Sequence, residues 1–283
     1  MQFDFVKMEG LGNDFIIIDD RDGHICTKIE YGKLAEKLCS RHFSIGADGI
    51  ILILNSEKMD IGFRIFNSNG TEAEMCGNGM RCFAKYLFEK RIISKKIFYV
   101  ETMAGTIIPE IILDPSGEVE SVKVDMGEPV LLPSKIPFKS IKDKAVNEPV
   151  VVNGENVYVT AVSMGNPHAV IFVDDIEQIN LEKRGREIET HAMFPEKTNV
   201  EFIQIIHRNE LKMRVWERGA GETLACGTGA CAAAVAACLN GKTSNRILVH
   251  LKGGDLHIEW DKINNHIYMT GPAALVFTGR LKI

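Results

Sequence analysis

Two stretches of the sequence, AEMCGNGMRC at positions 73–82 and TLACGTGACA at 223–232, each set a cysteine before a Gly-x-Gly and an apolar, helix-like pattern. The glycines strip side chains away, so that a ligand can approach the backbone closely. The first N–H groups of a helix have no partner within it, and together with the helix dipole they attract anions, a carboxylate as well as a phosphate. A thiol in that field gives up its proton more easily. Cysteines at helix N-termini reach pKa values of ~3.5–7.5, against ~8.5 for a free thiol. Cys76 and Cys226 are therefore candidate proton-transfer groups. One such site would suit a cysteine hydrolase or a redox centre. Two related sites suit a different task, in which one thiolate removes a proton from a carbon and an opposite thiol returns one to the other face. That inverts a stereocentre. A positioned acid or base supplies only ~10²–10⁴-fold, and an amino-acid α-hydrogen is too weakly acidic for that alone. The helix N–H groups must also stabilise the negative charge that builds on the substrate carboxylate in a dry pocket.

The two cysteines belong to a longer repeat. RIFNSNGTEAEMCGNG (64–79) matches RVWERGAGETLACGTG (214–229), with Arg64 and Arg214 twelve positions before the cysteines and Glu72 and Glu222 four before. LGNDFIII (11–18) matches MGNPHAVI (164–171), AGTIIPEI (104–111) matches GGDLHIEW (253–260), and VDMGEP (124–129) matches YMTGPA (268–273). Collinear matches at offsets between 144 and 153 residues predict two duplicated domains, since the period is far longer than a solenoid unit. Residues 127–149, holding four of the nine prolines, read as a linker or edge segment.

Each half is strand-rich. Short turns between the strands predict a largely antiparallel α+β fold, each half a curved sheet on a helix. VVVNGENVYVTAV reads as a hairpin with Asn153-Gly154 in a type I′ turn. Helices are expected at 29–42, at 180–191 and after each cysteine. The first post-cysteine helix carries apolar residues at Met80, Phe83, Ala84, Leu87 and Phe88, an amphipathic pattern. The second, GACAAAVAACLNGK, is apolar nearly all round, hence buried.

Composition bounds the rest. The chain has 283 residues, 45% hydrophobic and 25% charged, with a formal net charge of −5 and no basic cluster, so no nucleic-acid partner is expected. No apolar run approaches the roughly 20 residues of a membrane helix, and MQFDFVKMEGLGNDF has no signal-peptide pattern, so a cytoplasmic protein without a membrane partner is expected. The seven cysteines are odd in number and lack C-x-x-C spacing. Neither structural disulfides nor a zinc site is expected. Cys82, Cys231 and Cys238 read as packing residues. No P-loop, dinucleotide fingerprint or metal-ligand cluster appears, so no cofactor and no metal are expected.

On GLGNDF, RIFNSNG, CGNGMRC, SMGNPH, ERGAGET and ACGTGACA, the chain resembles the diaminopimelate epimerase family, cofactor-independent amino-acid epimerases, over essentially its full length. The resemblance implies two pseudosymmetric domains, each a barrel-like sheet around a central helix, over 1–126 plus 273–283 and over 127–272, with the site in the cleft between them. It implies that Cys76 and Cys226 are the catalytic bases. Asn13, Asn67, Asn166 and Asn199 would contact an amino-acid substrate. Gly77-Asn78 and Gly227-Thr228 would bind the α-carboxylate, and Glu217-Arg218 would hold the distal group. His168 and Glu217 would tune the thiols, and Tyr268 would contact the partner of a homodimer. Many members carry Gln where this chain has Gly49. The residues themselves fit part of this assignment. Asn67-Ser68 aligns with Glu217-Arg218, and an added Glu and Arg suit a zwitterionic far end. The readings that stay open are an epimerase of proline, hydroxyproline or another amino acid, a carboxylate-binding protein without catalysis, and a redox role for the two thiols.

Overall fold

The computed structural model describes residues 2–282 and divides the chain into two compact units, 1–125 with 271–283, and 126–270. In the first unit the order is β1 (Gln2–Gly10), β2 (Asn13–Asp19), α1 (Tyr31–Cys39), β3 (Gly49–Leu54), β4 (Ile61–Asn67), β5 (Glu72–Ala73), α2 (Gly77–Glu89), β6 (Val100–Thr102), β7 (Gly105–Ile107), β8 (Pro109–Leu113) and β9 (Val119–Asp125). The second unit runs β10 (Glu148–Val152), β11 (Glu155–Ser163), β12 (Pro167–Phe172), α3 (Leu181–Glu189), β13 (Asn199–His207), β14 (Glu210–Glu217), β15 (Gly221–Glu222), α4 (Gly227–Leu239), β16 (Arg246–Leu251), β17 (Gly254–Trp260) and β18 (Ile267–Gly271). The last strand, β19 (Ala274–Lys282), returns to pair antiparallel with β1.

The sequence repeat is a repeat of pairing. β1 with β2, β3 with β4, and β6 with β7 are antiparallel, as are β11 with β12, β13 with β14, and β16 with β17. The edge place that β10 takes beside β11 is taken by β19 beside β1. The sheets are mostly antiparallel, yet each unit also holds two parallel pairs: β2 with β3 and β4 with β6 in one, β12 with β13 and β14 with β16 in the other. Parallel neighbours need a crossover, and each helix supplies one. Strand periodicity reports faces rather than neighbours, so these crossovers were not visible in the pattern. β3, GIILIL, is buried from Gly49 through Ile53, as a parallel strand covered on both sides should be.

In each unit the post-cysteine helix is held by the sheet. α2 buries Met80, Phe83, Ala84 and Leu87 and packs on β1, β2, β8 and β9. Phe83 meets Phe63 edge to face at 5.1 Å, a pair worth ~0.5–1.5 kcal/mol beyond its buried area. α4 is buried on every side, against β11, β12, β13, β14, β16 and β17. Its alanines let so many strands approach. It ends at Asn240 and Gly241, the latter at φ 66°, in the left-handed conformation that closes helices.

Asn153 (φ 51°) and Gly154 (φ 85°) form the expected type I′ turn. The stretch 127–149 is not a free linker. Ile136, Phe138 and Ala145 are buried in the second unit's core, with the Phe138 and Phe194 rings 4.8 Å apart. Its prolines interrupt periodicity, and the stretch lies along the surface, with Ile141 and Leu132 exposed, while these three side chains anchor it in the core. Among the described residues no helix is long and apolar enough to cross a membrane.

Candidate active site

Cys76 and Cys226 are each the residue that starts a helix. Cys76 has extended backbone (φ −141°, ψ 119°), and its sulfur accepts the Gly79 N–H at 3.4 Å. Cys226 repeats this (φ −124°, ψ 111°), accepting the Gly229 N–H at 3.3 Å. A sulfur thus takes the capping place that Ser, Thr, Asp or Asn usually fills. A bond from N–H to sulfur favours the thiolate. The next two N–H groups, of Gly77 and Asn78 or of Gly227 and Thr228, belong to the set that a helix cannot satisfy internally. They are the donors available to an anion.

The hairpins that deliver the sulfurs are braced alike. Arg64 grips both oxygens of Glu72, at 2.5 and 2.6 Å, and Arg214 donates to Glu222 Oε1 at 3.1 and 3.3 Å. Both pairs are part-exposed, worth at most about 1 kcal/mol each. They fix the β4–β5 and β14–β15 hairpins, so the repeated Arg and Glu are scaffold.

In the first unit, Leu11 (φ 60°) and Gly12 (φ 84°) turn β1 into β2 and put Asn13 at the strand start. The Asn13 amide donates to Asp48 Oδ2 at 2.7 Å, which turns its Oδ1 toward Asn78 Nδ2 (3.3 Å) and the Cys76 sulfur (3.8 Å). The fully buried Arg81 donates to Asn78 Oδ1 at 2.8 Å and to the Pro272 carbonyl at 3.0 Å. Asn13, Cys76 and Asn78 therefore form one cluster. Asn67 is exposed and donates to Thr71 Oγ1 at 3.0 Å, which steadies its own turn. Across from Asn67 stands Gly49, where a Cβ would lie 2.6 Å from the Phe66 carbonyl oxygen. A side chain at Gly49 would have to move the strands apart.

In the second unit, Cys226 is buried, with Thr228 Oγ1 3.5 Å from its sulfur. Burial pushes its thiol pKa well above the ordinary value, and the carboxylates of Glu217 and Glu201 push it further, while Thr228 and the Gly229 N–H oppose them. His168 is fully buried, its Nδ1 2.7 Å from Glu201 Oε1 and its Nε2 2.9 Å from Asn166 Oδ1. Asn199 donates to the Pro167 carbonyl at 2.9 Å and accepts from the Arg218 N–H at 2.9 Å. It clamps the turn that carries Glu217 and Arg218. The Arg218 guanidinium reaches the Glu196 carbonyl at 3.1 Å, and the Thr223 hydroxyl donates to Glu217 Oε1. Glu189 finishes the turn, accepting from Gly219 N–H and Trp216 Nε1. Tyr268 lies apart on β18, its hydroxyl accepting from Asn264 at 2.9 Å.

Cys82 and Cys231 are fully buried in the helices; burial pushes the Cys82 thiol up to about 12. Four residues that sequence reasoning did not single out brace these groups: Asp48 and Arg81 in the first unit, Glu189 and Glu201 in the second. One had a signal. Glu201 follows Asn199 by two in the strand NVEFIQIIH, so the two share a face.

A family model described as diaminopimelate epimerase matches residues 5–132 and 160–276. The diaminopimelate epimerase of Desulforapulum autotrophicum is 62% identical over 283 residues, covering 100% of both chains. Among solved structures, a phenazine biosynthesis protein of the PhzF family from Bacillus anthracis superposes with a TM-score of 0.72 at 17% identity, covering 100% of both chains. A probable proline racemase from Agrobacterium radiobacter K84 gives 0.72 at 13% identity, covering 99% of this chain and 93% of the other. These two structures share the fold.

Proposed function

The chain belongs to the diaminopimelate epimerase family, and on that premise we propose that it converts LL-2,6-diaminopimelate to the meso form by inverting one α-carbon. One cysteine, as thiolate, takes the α-hydrogen. The C–H bond breaks, an S–H bond forms, and the electron pair moves into the α-carboxylate. The other cysteine, as thiol, delivers its proton to the opposite face. The enzyme ends with the proton on the first sulfur and the charge on the second, ready for the reverse direction. No cofactor takes part in these steps. They require that both sulfurs flank one carbon. The N–H groups of Gly77 and Asn78 and of Gly227 and Thr228 hold the carboxylate as charge builds on it. Asn13, Asn67, Asn166 and Asn199 are assigned to the substrate, Glu217 and Arg218 to its distal ammonium and carboxylate, and His168 and Glu217 to tuning the thiols. The pathway is that of lysine and peptidoglycan precursors, the location cytoplasmic, and the assembly a homodimer with Tyr268 as a contact.

The observation that carries this reading is the sulfur cap, repeated with its braces on both duplicated helices. The main competitor is the same chemistry on proline or hydroxyproline, which the shared fold of the racemase allows. Glu217 and Arg218 favour a substrate with a charged far end. Purified protein incubated with LL- and meso-diaminopimelate, and in parallel with the stereoisomers of proline and hydroxyproline, decides between them. Interconversion of the diaminopimelate isomers alone is expected; turnover of the cyclic amino acids alone would overturn the substrate.

A further inference from the structure

The duplication allows the ground beneath each sulfur to be compared. Phe15 is paired with Gly49 in the first unit as His168 is paired with Asn199 in the second. Two residues further along each partner strand stand Ile51 and Glu201. Both lie under the first turn of the cysteine helix. A Cβ added to Gly79 would meet Ile51 Cδ1 at 3.1 Å, and one added to Gly229 would meet Glu201 Oε1 at 2.8 Å. An apolar pair, Phe15 and Ile51, thus underlies Cys76, and an ionisable pair, His168 and Glu201, underlies Cys226. All four are buried, His168 and Glu201 completely. Glu201 Oε1 meets His168, whereas its Oε2 is buried with no hydrogen-bond partner among the described residues. An unsatisfied buried carboxylate oxygen is costly, so its place at one of two otherwise matching sites calls for a function.

The geometry points to Glu201 as a positioning residue that makes the two duplicated thiols unequal: it holds His168 against Asn166 and sets a carboxylate under the α4 start, so that Cys226 is the thiol that retains its proton in the substrate-free protein. The groups that bear on Cys226 are Glu217 from β14, Glu201 from β13, and Thr228 and the Gly229 N–H from α4, with His168 on β12 facing Glu201. Two carboxylates oppose the thiolate there. The place that Glu201 takes under the Cys226 helix is taken by the apolar Ile51 under the Cys76 helix, where the sulfur contacts the Asn13 amide and the Gly79 N–H. A two-base inversion needs one thiol charged and the other protonated before substrate arrives. Inequality between the sulfurs sets that state without a cofactor. The inference rests on the reading of both cysteines as reacting thiols.

The test reads thiols rather than turnover. Substrate-free protein is alkylated with iodoacetamide from about pH 6 to about pH 10, a range spanning ordinary thiol titration, and each cysteine peptide is quantified by mass spectrometry. In the unaltered protein, Cys226 is expected to titrate above the ordinary thiol range. Glu201→Gln, which keeps the shape and removes the charge, is expected to raise Cys226 alkylation near neutral pH roughly tenfold, the equivalent of one pKa unit, and to leave Cys76 unchanged. The pair His168→Phe with Glu201→Ile, which copies the packing of the other half, is expected to act in the same direction. A Cys226 that titrates at or below the ordinary range in the unaltered protein, or moves in neither folded variant, or moves together with Cys76, overturns the assignment. Absence of epimerisation by the unaltered protein, with the Cys226 shift present, would instead remove the proposed function and leave the assignment standing.

Discussion

A cap made of sulfur is unusual, and it ties stability to chemistry. Each cysteine holds the first turn of its helix through the very atom that is proposed to exchange a proton. Around Cys76 the polar network runs outward from Asn13 to Asp48, and from Asp48 to Arg41 and Asp14. Asp14 also pairs with the buried Lys7 at 2.6 Å. Burial works to raise the Asp14 pKa, but hydrogen bonds and charge from Arg41 and Lys7 outweigh it and hold the carboxyl at about 2, against 3.8 unperturbed. A depressed folded-state pKa stabilises the fold above the unfolded value, and the contribution is lost as pH falls through the folded one. Asp14 is therefore expected to contribute up to about 2 kcal/mol at neutral pH, lost between about pH 4 and about pH 2. Urea unfolding of Asp14→Asn beside the unaltered chain checks this. The stability gap should narrow over that window, and a gap that is constant with pH would contradict it. The cysteines were legible in the sequence because type, spacing and repetition coincided. Asp48 was not, and Glu201 only through sharing a strand face with Asn199: a single carboxylate in a loop or a strand acquires meaning only when its burial and neighbours are known.

At the scale of elements, the repeated glycines do steric work that the helices depend on. Gly185 in α3 lies against β14, where a Cβ would fall 2.4 Å from Trp216 Cγ and 2.5 Å from its Cβ. Trp216 is in turn held by Glu189, which also fixes the turn behind Glu217 and Arg218. Gly185→Ala is expected to cost roughly 1–3 kcal/mol through overpacking. It should also weaken substrate binding more than it lowers kcat, because it displaces the turn and leaves the thiols in place. Thermal unfolding together with KM and kcat measures both effects. An unchanged Tm would show that α3 does not press on Trp216 as described. The strands, the four helices and the Asn153-Gly154 turn were readable from periodicity and turn chemistry. The parallel crossovers and the anchoring of residues 127–149 through Ile136, Phe138 and Ala145 were not, since both depend on which elements become neighbours.

For the whole molecule, the duplication explains why one chain builds the same helix start twice, and the proposed substrate gives a reason for the departures from symmetry at Glu217 and Arg218. Assembly belongs to this scale too. Tyr268 is half-buried with its hydroxyl engaged by Asn264, whereas Leu275, Val276 and Phe277 on β19 are 41, 53 and 44% exposed. Both Tyr268→Glu and Phe277→Glu are expected to weaken the proposed homodimer, Phe277→Glu the more, as measured by sedimentation. A chain that is monomeric without either change would contradict the expectation. Two sulfurs are proposed to serve one carbon, and this is checked most directly by turnover of LL-diaminopimelate in D₂O by the unaltered protein, Cys76→Ser and Cys226→Ser. The unaltered protein should place one deuterium at the α-carbon that inverts. Each single substitution should cut inversion by at least ~10²-fold, the contribution of one positioned acid or base. Either variant inverting the carbon at near the full rate would contradict it.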